Sequence, residues 1–163
     1  MSNPPLVLLA AGGTGGHLFP AEALGAALMA RDVQVRLMTD ARALRYSGLF
    51  SGNMLDVVPS ATVRGRTPWM LARTGFTLAA GTAIALNLIR RRRPAAVIGF
   101  GGYPTVPPLF AARLLRVPTL IHDANAVMGR ANRFLSRRVD AIATSLPGVL
   151  DRDPELAKKT TVT

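Results

Sequence analysis

Residues 6–12, LVLLAAG, are an uninterrupted apolar run that stops on glycine. A run this short and this apolar fits a strand buried on both faces, the kind found in a parallel sheet covered by helices. Directly after it, Gly12, Gly13, Gly15 and Gly16 surround Thr14, and His17 follows at once. From His17 to Arg31, Leu18, Ala21, Leu24 and Leu28 recur at helical spacing. VQVRLMT (33–39) alternates apolar and polar residues and predicts a second, less buried strand. The three segments make a β-α-β unit, whose strands should be parallel with a right-handed crossover.

The same alternation continues. The pattern predicts a short helix over 41–47, a strand over 54–60, and a helix over 67–93 that ends in four arginines before Pro94. Strands are expected at 95–100, 118–122 and 141–145, helices at 105–115 and 129–138, and a further strand begins at 160–163. No solenoid repeat or low-complexity linker interrupts them. The expected fold is α/β: one Rossmann-like, doubly wound parallel sheet, a single domain over residues 1–163. Such sheets bind ligands at the carboxyl ends of their strands. Three strand ends carry unusual residues, GGTGGH, GGYP and HDAN, and all three loops should open on one edge.

Composition narrows the classes. With 49% hydrophobic residues the chain can bury a proper core. The absence of cysteine excludes disulfides and thiolate metal sites, which is compatible with a reducing compartment. The opening MSNPPLVLLAAGG has neither a basic region nor a cleavage site, so no signal peptide is expected. The longest apolar stretch, 76–89, is shorter than the roughly 20 residues of a membrane span, and Thr77, Gly81, Thr82 and Asn87 interrupt it. The formal charge of +11, carried by 18 arginines and two lysines, calls for anions: nucleic acid, phosphate-bearing metabolites or an anionic membrane. Only 6% of residues are aromatic, and they do not interleave with the basic ones. That argues against a stacking platform for single-stranded nucleic acid.

A glycine loop between strand and helix offers backbone N–H groups at a helix N-terminus, where the dipole favours a diphosphate. A P-loop needs a lysine beside its glycines, and the lysines here are Lys158 and Lys159. The dinucleotide fingerprint begins at Gly13 and Gly15 but meets Leu18 at its third glycine, although Asp40 could serve as the ribose-binding acid. A dinucleotide-binding module therefore stays open as an alternative, as does a nucleic-acid binder. Gly101 and Gly102 repeat the device in the other half of the sheet. A helix N-terminus keeps His17 neutral and able to accept a proton. Taken alone, His122 and Asp123 read as packing and capping residues.

The stretches GGTGGHLFPAEALGAAL, VIGFGGYPTVPPLFAA, PTLIHDANAVMGRANRFLS and SLPG resemble the N-terminal domain of the MurG-type glycosyltransferases, in order and with matching spacing from about residue 6 onward. The resemblance implies the N-terminal, acceptor and membrane-binding half of a GT-B enzyme, whose UDP-GlcNAc-binding C-terminal domain lies outside this sequence. It implies metal-independent, inverting transfer of N-acetylglucosamine from UDP-GlcNAc to the C4 hydroxyl of MurNAc in lipid I, without a cofactor, as part of peptidoglycan synthesis. A related lipid-directed glycosyltransferase is the neighbouring alternative. By the same resemblance, His17 is the general-base candidate. Thr14, Gly15, Gly16 and Asn125 face the UDP-GlcNAc side. Gly13, Gly101, Gly102, Tyr103 and His122 line the cleft around the acceptor diphosphate.

One motif departs from the family pattern: where His-Glu-Gln-Asn is common, this chain has His122-Asp123-Ala124-Asn125. Asp151 and Asp153 have the spacing of a metal-binding pair, but they sit in a polar segment away from the loops. No metal or nucleic-acid partner is implied. The implied partners are the two substrates, an anionic membrane surface, and cell-wall and division machinery, with a peripheral location on the cytoplasmic face of the bacterial inner membrane. The expected docking surface joins Trp69, Met70, Leu71 and Phe76 to Arg90, Arg91, Arg92 and Arg93, an apolar patch rimmed by cations.

Overall fold

The computed structural model describes residues 4–45, 48–50, 52–61 and 67–163. Among these, seven strands form one sheet: β1 (Leu6–Ala10), β2 (Gln34–Thr39), β3 (Leu55–Val57), β4 (Ala96–Gly99), β5 (Thr119–Asp123), β6 (Ala141–Thr144) and β7 (Thr160–Val162). Every pair is parallel, in the order β3-β2-β1-β4-β5-β6-β7. The connecting helices are α1 (Gly15–Met29), α2 (Pro68–Arg92), α3 (Val106–Leu114), α4 (Arg130–Ser136) and α5 (Pro154–Ala157). The strand order reverses between β1 and β4, which opens a crevice there at the carboxyl edge.

Successive strand residues point to opposite faces, so the sheet carries two cores. Leu8, Met38, Val97, Ile121 and Ile142 face α2, α3, α4 and Leu156 of α5. Val7, Leu9, Val35 and Leu37 face Leu18 and Ala21 of α1 together with Phe100. This split follows from right-handed crossovers. The chain first moves from β1 outward to β3, placing α1 on one face. It then returns to β4 and moves the other way, placing the later helices on the opposite face.

Two expectations need correction at the element level. The strand expected over 54–60 is only Leu55–Val57, preceded by a 3-10 turn at Gly52–Met54. The chain from 41 forms a 3-10 turn, Ala41–Arg45, and residues 46 and 47 of the expected helix lie outside the described residues. Helix α5 was not anticipated, because four residues are too few to show a period. It is set locally: Pro154 occupies its first turn and the Asp153 carboxylate accepts from the Leu156 N–H at 3.4 Å. Asp153 also pairs with Arg137 at 2.7 Å.

Helix α2 sets the shape around the crevice. Thr67 caps it, Pro68 starts it, and Arg93 in the left-handed region ends it before Pro94. Its 25 residues make it about 37 Å long, against about 16 Å for a five-residue strand. Only Gly81, Ala85 and Ile89 are buried, all in its second half. Gly81 packs on the Pro59 carbonyl, just past β3, and on Pro107 at the start of α3. From Gly81 back to Pro68 no residue is buried, so about 20 Å of helix overhangs the carboxyl edge of the sheet.

This geometry corrects the expected docking surface. Trp69 and Phe76 are each 77% exposed at the overhanging end, with Met70 and Leu71 beside them. The four arginines close the other end of α2, about 33 Å from Trp69 to Arg91 along the axis, so they do not rim the apolar patch. Arg92 is turned inward: with Arg36 of β2 it clamps Asp56 of β3. Burial pushes the Asp56 carboxyl up, but hydrogen bonds from Arg92 and Arg36 outweigh it and hold it below the usual carboxylate value.

Because a methyl at position 81 would land on the Pro59 carbonyl oxygen, Gly81→Ala should lower stability by about 1–3 kcal/mol. Gly75, on the overhang with open space around it, should tolerate alanine and gain up to about 1 kcal/mol. Urea denaturation of the two variants checks the contrast.

Candidate functional site at the strand-order reversal

The first loop leaves β1 and enters α1, and its glycines have different reasons to be there. Gly12 donates its N–H to the Gly101 carbonyl at 3.0 Å. A side chain at Gly13 would collide with Arg42, Ala43 and Asp40 at 2.9 Å. At Gly16 nothing among the described residues lies within 4 Å, so their packing does not require a glycine there. Gly15 and Gly16 are the first two residues of α1, and their N–H groups donate to no acceptor among the described residues. Two such amides at the positive end of a 15-residue helix can receive an anion.

His17 is the next residue of α1. Its Nδ1 lies 2.9 Å from Thr14 Oγ1, which fixes the ring. A side chain at Gly12 would come within 3.1 Å of Nδ1, and one at Gly101 within 3.1 Å of Nε2. Both glycines therefore make room for the imidazole. When Nδ1–H donates to Thr14, Nε2 keeps its lone pair and can accept a proton. Burial lowers the His17 pKa below its ordinary value; Asp123 opposes this and Arg42 adds to it.

The second loop follows β4. Gly101 and Gly102 have φ of 96° and 79°, a region side chains rarely enter. A side chain at Gly102 would also press on Gly12 at 3.1 Å. Close approach of two backbones and a ring thus accounts for this pair. Tyr103, half-buried, opens the 3-10 turn Tyr103–Thr105 that leads into α3.

The third loop follows β5 and is organised by Asp123, which is 2% exposed. Its Oδ1 accepts from the N–H and the side-chain amide of Asn125 at 3.0 and 2.9 Å. Its Oδ2 accepts from the Gly129 N–H at 3.0 Å and from Asn132 Nδ2 at 2.9 Å. The carboxylate that departs from the family pattern is therefore an internal strut, and it pins the exposed Asn125. Ala124 beside it is exposed. His122 points to the other face of the sheet, tilted against Phe100, with Nε2 3.1 Å from Ser145 Oγ. Its Nδ1 is buried without a partner among the described residues. Burial lowers its pKa, and Asp123 partly opposes that.

Asn132 escaped the sequence analysis. It is 2% exposed in α4 and donates to both the His122 carbonyl and Asp123. A side chain at Gly101 would come within 3.4 Å of its Nδ2, so it links the third loop to the second. The available signal was a polar residue on the buried face of a short helix, where asparagine has little intrinsic reason to be.

All three loops thus meet at the carboxyl ends of the adjacent strands β1, β4 and β5. Asp40, the acid of the dinucleotide alternative, is occupied: it accepts from the Arg42 backbone at 2.8 Å and from Arg42 Nε at 3.0 Å. Leu18, where that fingerprint needs glycine, is buried in the core. Among the described residues no group of three carboxylate or imidazole side chains could hold a metal ion.

The model of the glycosyltransferase family 28 N-terminal domain matches residues 7–144. The chain belongs to this family. It is 80% identical over its full length to the UDP-N-acetylglucosamine--N-acetylmuramyl-(pentapeptide) pyrophosphoryl-undecaprenol N-acetylglucosamine transferase of Rhodopseudomonas palustris strain BisB5, and covers 44% of that protein. A protein of the same description from Nitrobacter hamburgensis is 76% identical over the same span, again with 44% covered. Among solved structures, Acinetobacter baumannii MurG matches with a TM-score of 0.79 at 30% identity, over 98% of this chain and 46% of that one. A UDP-GlcNAc 2-epimerase from Neisseria meningitidis, at 12% identity and a TM-score of 0.66 over 97% of this chain and 45% of that one, shares the fold. The chain spans less than half the length of the curated relatives it matches.

This family 28 domain has the fold of the N-terminal half of a GT-B glycosyltransferase. Within it, His17 gives a direct test of the local environment. Its folded pKa is lowered, so folding favours the neutral ring, and stability falls as pH drops through the unfolded value near 6.5. NMR titration should place the His17 midpoint below 6.5. His17→Gln should lose less stability than the parent between pH 6.5 and 5, as read by urea melts over that roughly 1.5-unit range.

Proposed function

We propose that this domain is the acceptor half of an inverting, metal-independent N-acetylglucosaminyltransferase. The full enzyme moves GlcNAc from UDP-GlcNAc to the C4 hydroxyl of MurNAc in lipid I, giving lipid II for peptidoglycan synthesis. The observation that carries this is the pairing at one crevice of His17, whose pKa is lowered, with the Gly15 and Gly16 amides, which have no acceptor among the described residues. The name shared by the relatives at 80% and 76% identity supports it.

In this mechanism His17 Nε2 takes the proton from the acceptor hydroxyl as that oxygen bonds to the anomeric carbon. The bond from that carbon to UDP breaks on the opposite side, so configuration inverts and UDP carries away the electron pair. Helix α1 points its positive end at the crevice, where charge develops on the departing diphosphate. Thr14 orients the imidazole, and its hydroxyl can accept from Nδ1–H in the tautomer this needs. Asn125, steadied by Asp123, contacts the N-acetyl sugar in this reading.

Because lipid I sits in a bilayer, the domain must reach the cytoplasmic face of the membrane. The overhanging end of α2 presents Trp69, Met70, Leu71 and Phe76 for this. Among the described residues no helix is long and apolar enough to cross a membrane. The surface is therefore interfacial, with the ring faces dipping to headgroup depth.

In the longer transferase, His17→Ala should lower kcat by about 10²–10⁴-fold with the KM for UDP-GlcNAc little changed. Near-normal turnover would remove His17 as the base. For docking, Trp69→Ala with Phe76→Ala should reduce partition onto phosphatidylglycerol vesicles roughly tenfold or more. Replacing Arg90, Arg91 and Arg93 by glutamine should matter much less, since they lie beyond a Debye length of about 10 Å from that end.

A further inference from the structure

A cavity of about 610 Å³ lies between the overhanging half of α2 and the chain leaving β2 and β3. That volume is within the usual range for a small-molecule site, roughly 300–1,000 Å³. Arg42 and Ser60 form one wall. Met70, Arg73, Thr74 and Thr77 form the other, spaced along one helical face.

Its chemistry is that of an anion site. Arg42 is matched by Asp40, which also lines the cavity and receives the Gly13 N–H. Arg73 has no carboxylate partner among the described residues. The described lining therefore carries one uncompensated positive charge. The hydroxyls of Ser60 and Thr74 make no hydrogen bond among the described residues, whereas that of Thr77 donates back to the Arg73 carbonyl at 3.0 Å. Guanidinium groups bind phosphate oxygens in pairs, which suits a diphosphate better than a lone carboxylate.

Position narrows the ligand. On one side the wall touches the first glycine loop: Arg42 and Asp40 press against Gly13, four residues before His17. On the other side is the apolar helix end with Trp69 and Phe76. The cavity lies between the membrane-facing surface and the general base, where the diphosphate linking a lipid tail to a reacting sugar has to be.

We infer that this cavity holds the diphosphate of the polyprenyl carrier, with Arg73 and Arg42 as its ligands; this rests on the acceptor role proposed above. The second glycine loop, packed against Gly12 and His17, then shapes the crevice and leaves the carrier diphosphate to the arginines.

The test is calorimetric titration of the 163-residue chain with geranyl diphosphate, a soluble carrier analogue. Arg73→Gln should weaken binding about tenfold or more, Arg73→Lys less, and Arg91→Gln by under about twofold. Partition of Arg73→Gln onto phosphatidylglycerol vesicles should change by less than about twofold. Unchanged geranyl diphosphate affinity in Arg73→Gln overturns the site. So does a parallel loss on vesicles, which would make Arg73 a general headgroup contact. In the longer transferase, Arg73→Gln should raise the KM for lipid I and leave kcat and the KM for UDP-GlcNAc unchanged. If the parent turns over lipid I and the variant matches it, the site is overturned and the acceptor role stands. If the parent transfers nothing to lipid I, both are overturned.

Discussion

The hydrogen bond from the Gly12 N–H to the Gly101 carbonyl is the contact on which the site depends. It joins two loops where the strand order reverses, and it requires both backbones to be bare. A side chain at 12, 101 or 102 would strike the other loop or the His17 ring. Ordering glycine is entropically expensive. That cost is met here by a crevice whose floor is backbone and whose lip is an imidazole of lowered pKa.

Around that floor the polar groups divide into struts and free ends. Asp123, the Asn132 side-chain N–H group and the Asp40 carboxylate are paired internally and hold the loops in place. The amides of Gly15 and Gly16, His17 Nε2 and the Arg73 guanidinium have no hydrogen-bond partner among the described residues. Eight of the 18 arginines lie away from the crevice. Arg31, Arg90, Arg91, Arg93, Arg113, Arg116, Arg137 and Arg138 sit at or just past helix C-termini, on the edge opposite the crevice. There they answer helix dipoles.

The alternation of apolar strands with helical periods was legible because parallel strands buried on both faces leave unbroken apolar runs. The glycine positions were legible because few structural needs explain so many. Other features were not. Asp123 and Asn132 are an ordinary acid and amide until α4 folds back over β5 and makes them partners. Asp40 looks free in the sequence, and only the turn at Ala41–Arg45 brings Arg42 onto it. The arginine run seemed to border the aromatic residues, but one straight helix carries them to opposite ends.

By itself, the sequence determined the α/β alternation, the common edge of the three loops and the family, since these follow from periodicity and from motifs that are continuous along the chain. Tertiary structure alone decided which glycines are filled by a neighbour and which face open space, how far α2 projects past the sheet, and that its projection borders a cavity. Those outcomes depend on distances between segments 30 or more residues apart, such as Asp40 and Arg73, and no local pattern encodes such distances.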